Sequence, residues 1–163
     1  MLNLKARWAN LLSRMQTSER VHLKLAVVDD HMLMAKVICQ LLESFGYSII
    51  FDGSNGKDVI EKINSNNLPD VVLMDVNMPG MDGFETTFWL KQNHPTVKVL
   101  GFGLEDDEKT IIKLLKNGVD GYIFKDADPE ELNLAIQAIY QKGSYYSREV
   151  IDFVVRYNVG KSI

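Results

Sequence analysis

The chain has 163 residues, enough for one well-buried domain with short extensions and too few for two domains of ordinary size. Its net charge of −4 argues against a basic, nucleic-acid-gripping face, so any DNA contact belongs to a separate domain. One cysteine, Cys39, excludes an internal disulfide framework and a cysteine-rich zinc site; in the apolar run VICQLL it reads as a small buried hydrophobe.

In chain order, residues 1–22 come first. Leu4, Trp8, Leu11, Leu12 and Met15 form an i, i+4, i+7, i+8, i+11 stripe, which predicts an amphipathic helix. Such a helix packs on its own domain, on a second subunit, or on a membrane surface, although the stripe is short for the last. No apolar run approaches ~18 residues and nothing resembles a signal peptide, so the expectation is a cytoplasmic protein without a membrane span.

From Leu23 to Lys142 two textures alternate. LKLAVV (23–28), YSIIF (47–51), VVLM (71–74), VKVLGF (97–102) and GYIF (121–124) read as short buried strands. Helical spacing lies between and after them. It runs through Met34, Val37, Ile38, Leu41, Leu42 and Phe45, then Phe84, Thr87, Phe88 and Leu90, then Ile111, Ile112, Leu114 and Leu115. Asn117-Gly118 is a helix stop, and Asp128-Pro129 is a cap that opens a last helix through Leu132, Leu134, Ile136 and Ile139. The fold class is α/β: a doubly wound, five-stranded parallel sheet of flavodoxin-like order 2-1-3-4-5, with helices on both faces. The tail, 144–163, predicts a further short helix capped by Ser147, with Val150, Ile151, Val154 and Tyr157 on one side. The expected division is an N-terminal extension (1–22), a core domain (23–143) and a C-terminal helix or linker (144–163).

Ligands of doubly wound sheets bind outside the carboxyl ends of the strands, where strand order reverses. Here the first strand ends in Asp29-Asp30, the third in Asp75, the fourth in Gly103 and the fifth in Lys125. Three converging carboxylates repel, so they take up protons or gather around a cation. Mg²⁺ suits few carboxylates, several waters and a phosphoryl oxygen. Lys125 adds a mobile positive charge. Together they look built for an aspartate that accepts a phosphoryl group.

LAVVDDH (25–31), LMDVNMPGMDGFE (73–85) and GYIFKD (121–126) resemble the receiver domain of bacterial two-component response regulators over about residues 23–143. The spacing from Asp75 to Lys125, the Asp-Asp-His start and the GYIFKD ending are similar to the NarL/LuxR-type subgroup. The resemblance implies that Asp75 is the phosphoacceptor for a sensor histidine kinase. It implies that Asp29, Asp30, Asp75 and the backbone carbonyl of Asn77 hold Mg²⁺, with Asp30 preferred over Asp29 as a direct ligand, and that Lys125 binds the phosphoryl group. Asn77 and Glu105 would tune its loss. It further implies a homodimer, and transcription control through a DNA-binding helix-turn-helix domain not in this chain. Pro79 and the glycines of MPGMDG shape a tight loop, and Asp82 caps the helix that follows.

One departure stands out. Receivers carry Ser or Thr at the end of the fourth strand, whose hydroxyl donates to the phosphoryl group and couples to an aromatic ring on the fifth strand. Gly103 occupies that place and Tyr122 is the ring. Loss of the hydroxyl weakens the switch and leaves room for Tyr122 to sit inward regardless of phosphate. The competing reading is a pseudo-receiver, a binding scaffold that no longer uses phosphate. An aspartate-nucleophile phosphatase is a third, but DDHM (29–32) lacks its Asp-x-Asp.

Overall fold

The computed structural model describes residues 22–104 and 107–161, the last four as backbone alone. Strands and helices alternate: β1 (Lys24–Val28), α1 (Met32–Ser44), β2 (Ser48–Gly53), α2 (Gly56–Lys62), β3 (Val71–Asp75), α3 (Gly83–Asn93), β4 (Lys98–Gly103), α4 (Glu108–Lys116), β5 (Gly121–Phe124), α5 (Pro129–Lys142), β6 (Tyr145–Tyr146) and α6 (Arg148–Lys161). Every pairing between these strands is parallel, in the order β2-β1-β3-β4-β5-β6.

The sheet therefore has six strands, where the sequence predicts five. After α5 ends at Gly143 (φ 91°) the chain turns back, and Tyr145-Tyr146 pairs with Gly121-Tyr122 along the sheet edge. Gly121 permits this, because a Cβ there would stand 2.4 Å from the Tyr145 carbonyl oxygen. Two residues are too few for strand periodicity to show in a sequence.

The strands bury both faces. Leu25, Val27, Leu73, Leu100 and Ile123 pack beneath α1 and α5. Ala26, Val72, Met74, Val99 and Tyr122 pack on the opposite face with Val59, Leu90, Ile111 and Val150, one from each of α2, α3, α4 and α6. Three helices bury less than their sequence periodicity predicts: Met34, Val37 and Phe45 on or ending α1, Phe88 on α3 and Leu134 on α5 are exposed. On α6, Phe153 packs on the core where Ile151 was expected, and Ile151 faces solvent.

The helix ends follow local chemistry. Asp82 and Glu85 form a reciprocal capping box at α3, and Asn117-Gly118 ends α4 with Gly118 at φ 93°. Asp128 precedes Pro129 at the start of α5, but its side chain makes no capping hydrogen bond. The Ser147 Oγ accepts from Val150 N at 3.4 Å.

Candidate functional site

Backbone pairing delivers the acids to one sheet edge. β1 lies between β2 and β3, and Asp29 N donates to Gly53 O at 3.0 Å, carrying β1 one residue further along β2. Asp75 is the last residue of β3. Lys125 follows β5, and its N–H donates to Gly103 O at 2.9 Å, so the fourth strand end fixes where the lysine side chain begins.

Lys125 Nζ lies 3.0 Å from Asp29 Oδ2 and 3.3 Å from Asp75 Oδ1, with all three side chains nearly buried. Asp29 Oδ1 accepts from His31 N at 2.9 Å. Both Asp29 oxygens are thus engaged. Asp30 differs: its Oδ1 is buried and accepts no hydrogen bond, although His31 Nδ1 stands 3.3 Å away. Donor atoms of Asp29, Asp30, His31 and Asp75 all lie within 4.8 Å of one another.

These surroundings set the charges. Burial pushes the Asp75 carboxyl up to about 7 against the pull of Lys125, and Asp29 and Asp30 push it the same way. Burial works against the Lys125 ammonium, but its contacts with Asp29 and Asp75 outweigh that and raise its pKa. A buried carboxylate oxygen with no donor, inside a mostly carboxylate donor set, fits a hard divalent cation such as Mg²⁺.

The remaining predicted residues sit around this cluster. Asn77 is exposed on the loop two residues past Asp75, and Glu105 lies outside the described residues. Gly103 ends β4 and offers the site only backbone. Tyr122 is 0% exposed, edge-on to Phe124 with ring centroids 5.5 Å apart.

Two residues escaped the sequence reading. His31 was quoted within the Asp-Asp-His start without a role, yet its ring approaches both Asp29 and Asp30. Gly101 is the Cα partner of Tyr122, and a Cβ there would stand 2.9 Å from Tyr122 Cδ2. The tyrosine ring thus fills the space beside Gly101. Counting register from the two strand ends, at Gly103 and Phe124, would have paired them.

A doubly wound parallel sheet that gathers three aspartates and a lysine at its switch point is the architecture of a phosphoacceptor domain. The chain belongs to the response regulator receiver domain family, whose model matches residues 25–137. Receiver domains of this family are phosphoacceptors that bind Mg²⁺ in an acidic pocket, and are not conventional enzymes. The chain is similar to the transcriptional regulatory protein DegU of Brevibacillus brevis, 33% identical over 135 residues (82% of this chain, 57% of the relative). It is also similar to the nitrate/nitrite response regulator protein NarL of Escherichia coli K12, 34% identical over 116 residues (71% and 52%). The chain thus spans little more than half the length of either relative. Among solved structures, a LuxR family response regulator from Aurantimonas sp. SI85-9A1 superposes with a TM-score of 0.75 at 26% identity, over 84% of this chain and 98% of that one. The receiver is of the NarL/LuxR type. No helix among the described residues is long and apolar enough to cross a membrane.

Proposed function

We propose that Asp75 accepts a phosphoryl group from a sensor histidine kinase and that the acids around it hold the Mg²⁺ that makes this possible. The carrying observation is Lys125 Nζ bridging Asp29 and Asp75 beside an Asp30 oxygen that no donor satisfies. Asp75 Oδ attacks phosphorus; a P–O bond forms, the P–N bond to the donor imidazole breaks, and the imidazole leaves with the bonding pair. Mg²⁺, when bound, neutralises charge on the phosphoryl oxygens. Asp29, Asp30, Asp75 and the Asn77 carbonyl would hold it, with Asp30 preferred as the direct ligand. Lys125 already touches Asp75, so a short movement of its ammonium reaches a phosphoryl oxygen. Asn77 and Glu105 would tune how fast water removes the group.

The functional division we propose is an extension (1–22), the receiver (23–143) and a C-terminal helix or linker (144–163). The output would be transcription control through a helix-turn-helix domain outside this chain, with a second copy as a dimer partner. Support comes from the regulators DegU and NarL, whose names state transcriptional and nitrate/nitrite response roles.

Gly103 removes a charge-assisted hydrogen bond to the phosphoryl group, about 1.5–3 kcal/mol. Tyr122 is already buried over Gly101, so its inward position does not require phosphate. That observation also favours a second reading, a scaffold whose partner surface is set without phosphorylation. Incubation with Mg²⁺ and acetyl phosphate, followed by intact mass, separates the two. A gain of one phosphoryl mass, lost in Asp75→Asn, supports the phosphoacceptor. No gain in the parent chain defeats it and leaves the scaffold.

A further inference from the structure

The clustered acids stand at the ends of β1 and β3, and a third segment ties those two ends together. Residues 53–56, which join β2 to α2, bond to both. Gly53 O accepts from Asp29 N at 3.0 Å, and three residues further on Gly56 N donates to Met81 O at 3.0 Å. Met81 lies in the loop 76–82 that follows Asp75 and carries Asn77. Because β1 lies between β2 and β3, this turn reaches past the end of β1 from one acid-bearing segment to the other.

The turn is held at a fixed length. Asp58 Oδ2 accepts from both Ser54 N and Ser54 Oγ at 2.8 Å, and Asn55 Oδ1 accepts from Asp58 N at 3.1 Å. The bonds from Ser54 hold the Asp58 carboxyl below its ordinary range. Its far contact is confined as well. Gly56 is buried, and a Cβ there would stand 2.1 Å from Thr86 Oγ1 and 2.5 Å from Met81 Cγ. Thr86 has little room to yield, being 0% exposed with its hydroxyl donating to Asp82 O. The loop then closes on the strand of Asp75. Gly83 N donates to Val76 O at 2.9 Å, and a Cβ on Gly83 would stand 2.3 Å from Asp75 O. A push at Gly56 therefore travels into the Asp75–Asn77 backbone.

We propose that residues 53–56 are a strut that sets the spacing between Asp29-Asp30 and the Asp75–Asn77 segment, with Gly56 and Asp58 as positioning residues for the divalent cation. The inference rests on the reading of the acid cluster as the Mg²⁺ site and deepens it, since neither residue is among the clustered acids. Mg²⁺ demands near-ideal octahedral geometry, so its affinity is sensitive to small displacements of the oxygens that hold it. Residues that only orient such oxygens are typically worth about 10–100-fold in metal affinity.

The test is calorimetric titration of the full chain with MgCl₂, well below its melting transition. Gly56→Ala should weaken Mg²⁺ binding about tenfold or more. Asp58→Ala, which releases Ser54, should do the same, whereas Asp58→Asn keeps an acceptor for Ser54 and should stay within about twofold of the parent. A role in folding alone would lower the melting temperature of these variants and leave the affinity of the folded chain unchanged. Asp58→Ala decides the matter even where Gly56→Ala does not fold. An Asp58→Ala affinity within about twofold of the parent overturns the strut. So does a loss in Asp58→Asn equal to that in Asp58→Ala, which would assign the effect to charge. A parent chain that takes up no Mg²⁺ defeats the reading of the acid cluster, and the strut falls with it.

Discussion

Asp75 is held where burial opposes its charge, and that has a measurable cost. Its carboxyl titrates from 3.8 in the unfolded chain to about 7 in the fold. Between those values the folded chain keeps a proton that the unfolded chain releases, so stability falls as pH rises through this window. Below the window the contribution is complete, and above it the contribution is lost. Asp75→Asn removes the burden. In chelator at about pH 8 the variant should be more stable by about 1–3 kcal/mol, less than the full shift because Asn no longer answers the Lys125 ammonium. The two chains should converge near pH 4, and thermal melts across the range read this directly. A gap that is the same at both ends would show that burial does not set the effect. Gly101 gives a second test at this scale. Gly101→Val should cost about 1–3 kcal/mol by driving a side chain into the Tyr122 ring. Tyr122→Leu in the same chain should return part of that loss, so urea midpoints of the two single variants and the double must be non-additive. Strict additivity would mean that Gly101 is not there for the ring.

Helices and strands were legible in proportion to how much of their surface the sheet consumes. The five short apolar runs became strands because both faces are covered, and Asp82 and Asn117-Gly118 mark helix ends by local chemistry alone. β6 was not legible because two tyrosines pair with the sheet edge only after α5 has turned the chain back. The exposed apolar residues of α1 were also hidden, since periodicity marks an apolar stripe without saying what covers it. The site divides the same way. Asp29, Asp30, Asp75 and Lys125 could be placed because strand ends converge by topology, whereas Gly101 against Tyr122 needs cross-strand register. Between elements, Asp120 ties three segments by polar contacts. Its carboxylate binds Lys91 Nζ of α3 and accepts from Val99 N of β4 at 2.8 Å, just before β5 begins. Asp120→Ala leaves that ammonium and that N–H without their carboxylate and should cost about 2–4 kcal/mol in denaturant titration. Asp120→Asn keeps an acceptor for Val99 and should cost less than half as much. Equal losses would assign the effect to charge and not to the backbone tie.

At the scale of the whole molecule, the parallel sheet concentrates like charge at one edge and leaves it unbalanced. Asp29, Asp30 and Asp75 face a single ammonium, so the fully ionised cluster carries two surplus negative charges. A divalent cation cancels that surplus, and its binding to the folded chain alone stabilises the fold by mass action. At a hundred times its dissociation constant the gain is about 2.7 kcal/mol. Mg²⁺ at constant ionic strength should therefore raise the melting temperature at about pH 8, by several degrees for a domain of this size. NaCl at matched ionic strength should not reproduce the rise, because nearly buried charges are poorly screened. Asp30→Asn should remove most of the Mg²⁺ response while leaving the metal-free melt no lower than that of the parent, since Asp30 Oδ1 accepts no hydrogen bond that the fold would miss and one surplus charge is gone. If NaCl matches Mg²⁺, or if the Asn variant responds in full, the stabilisation comes from general screening and the acid cluster is not the seat of the ion.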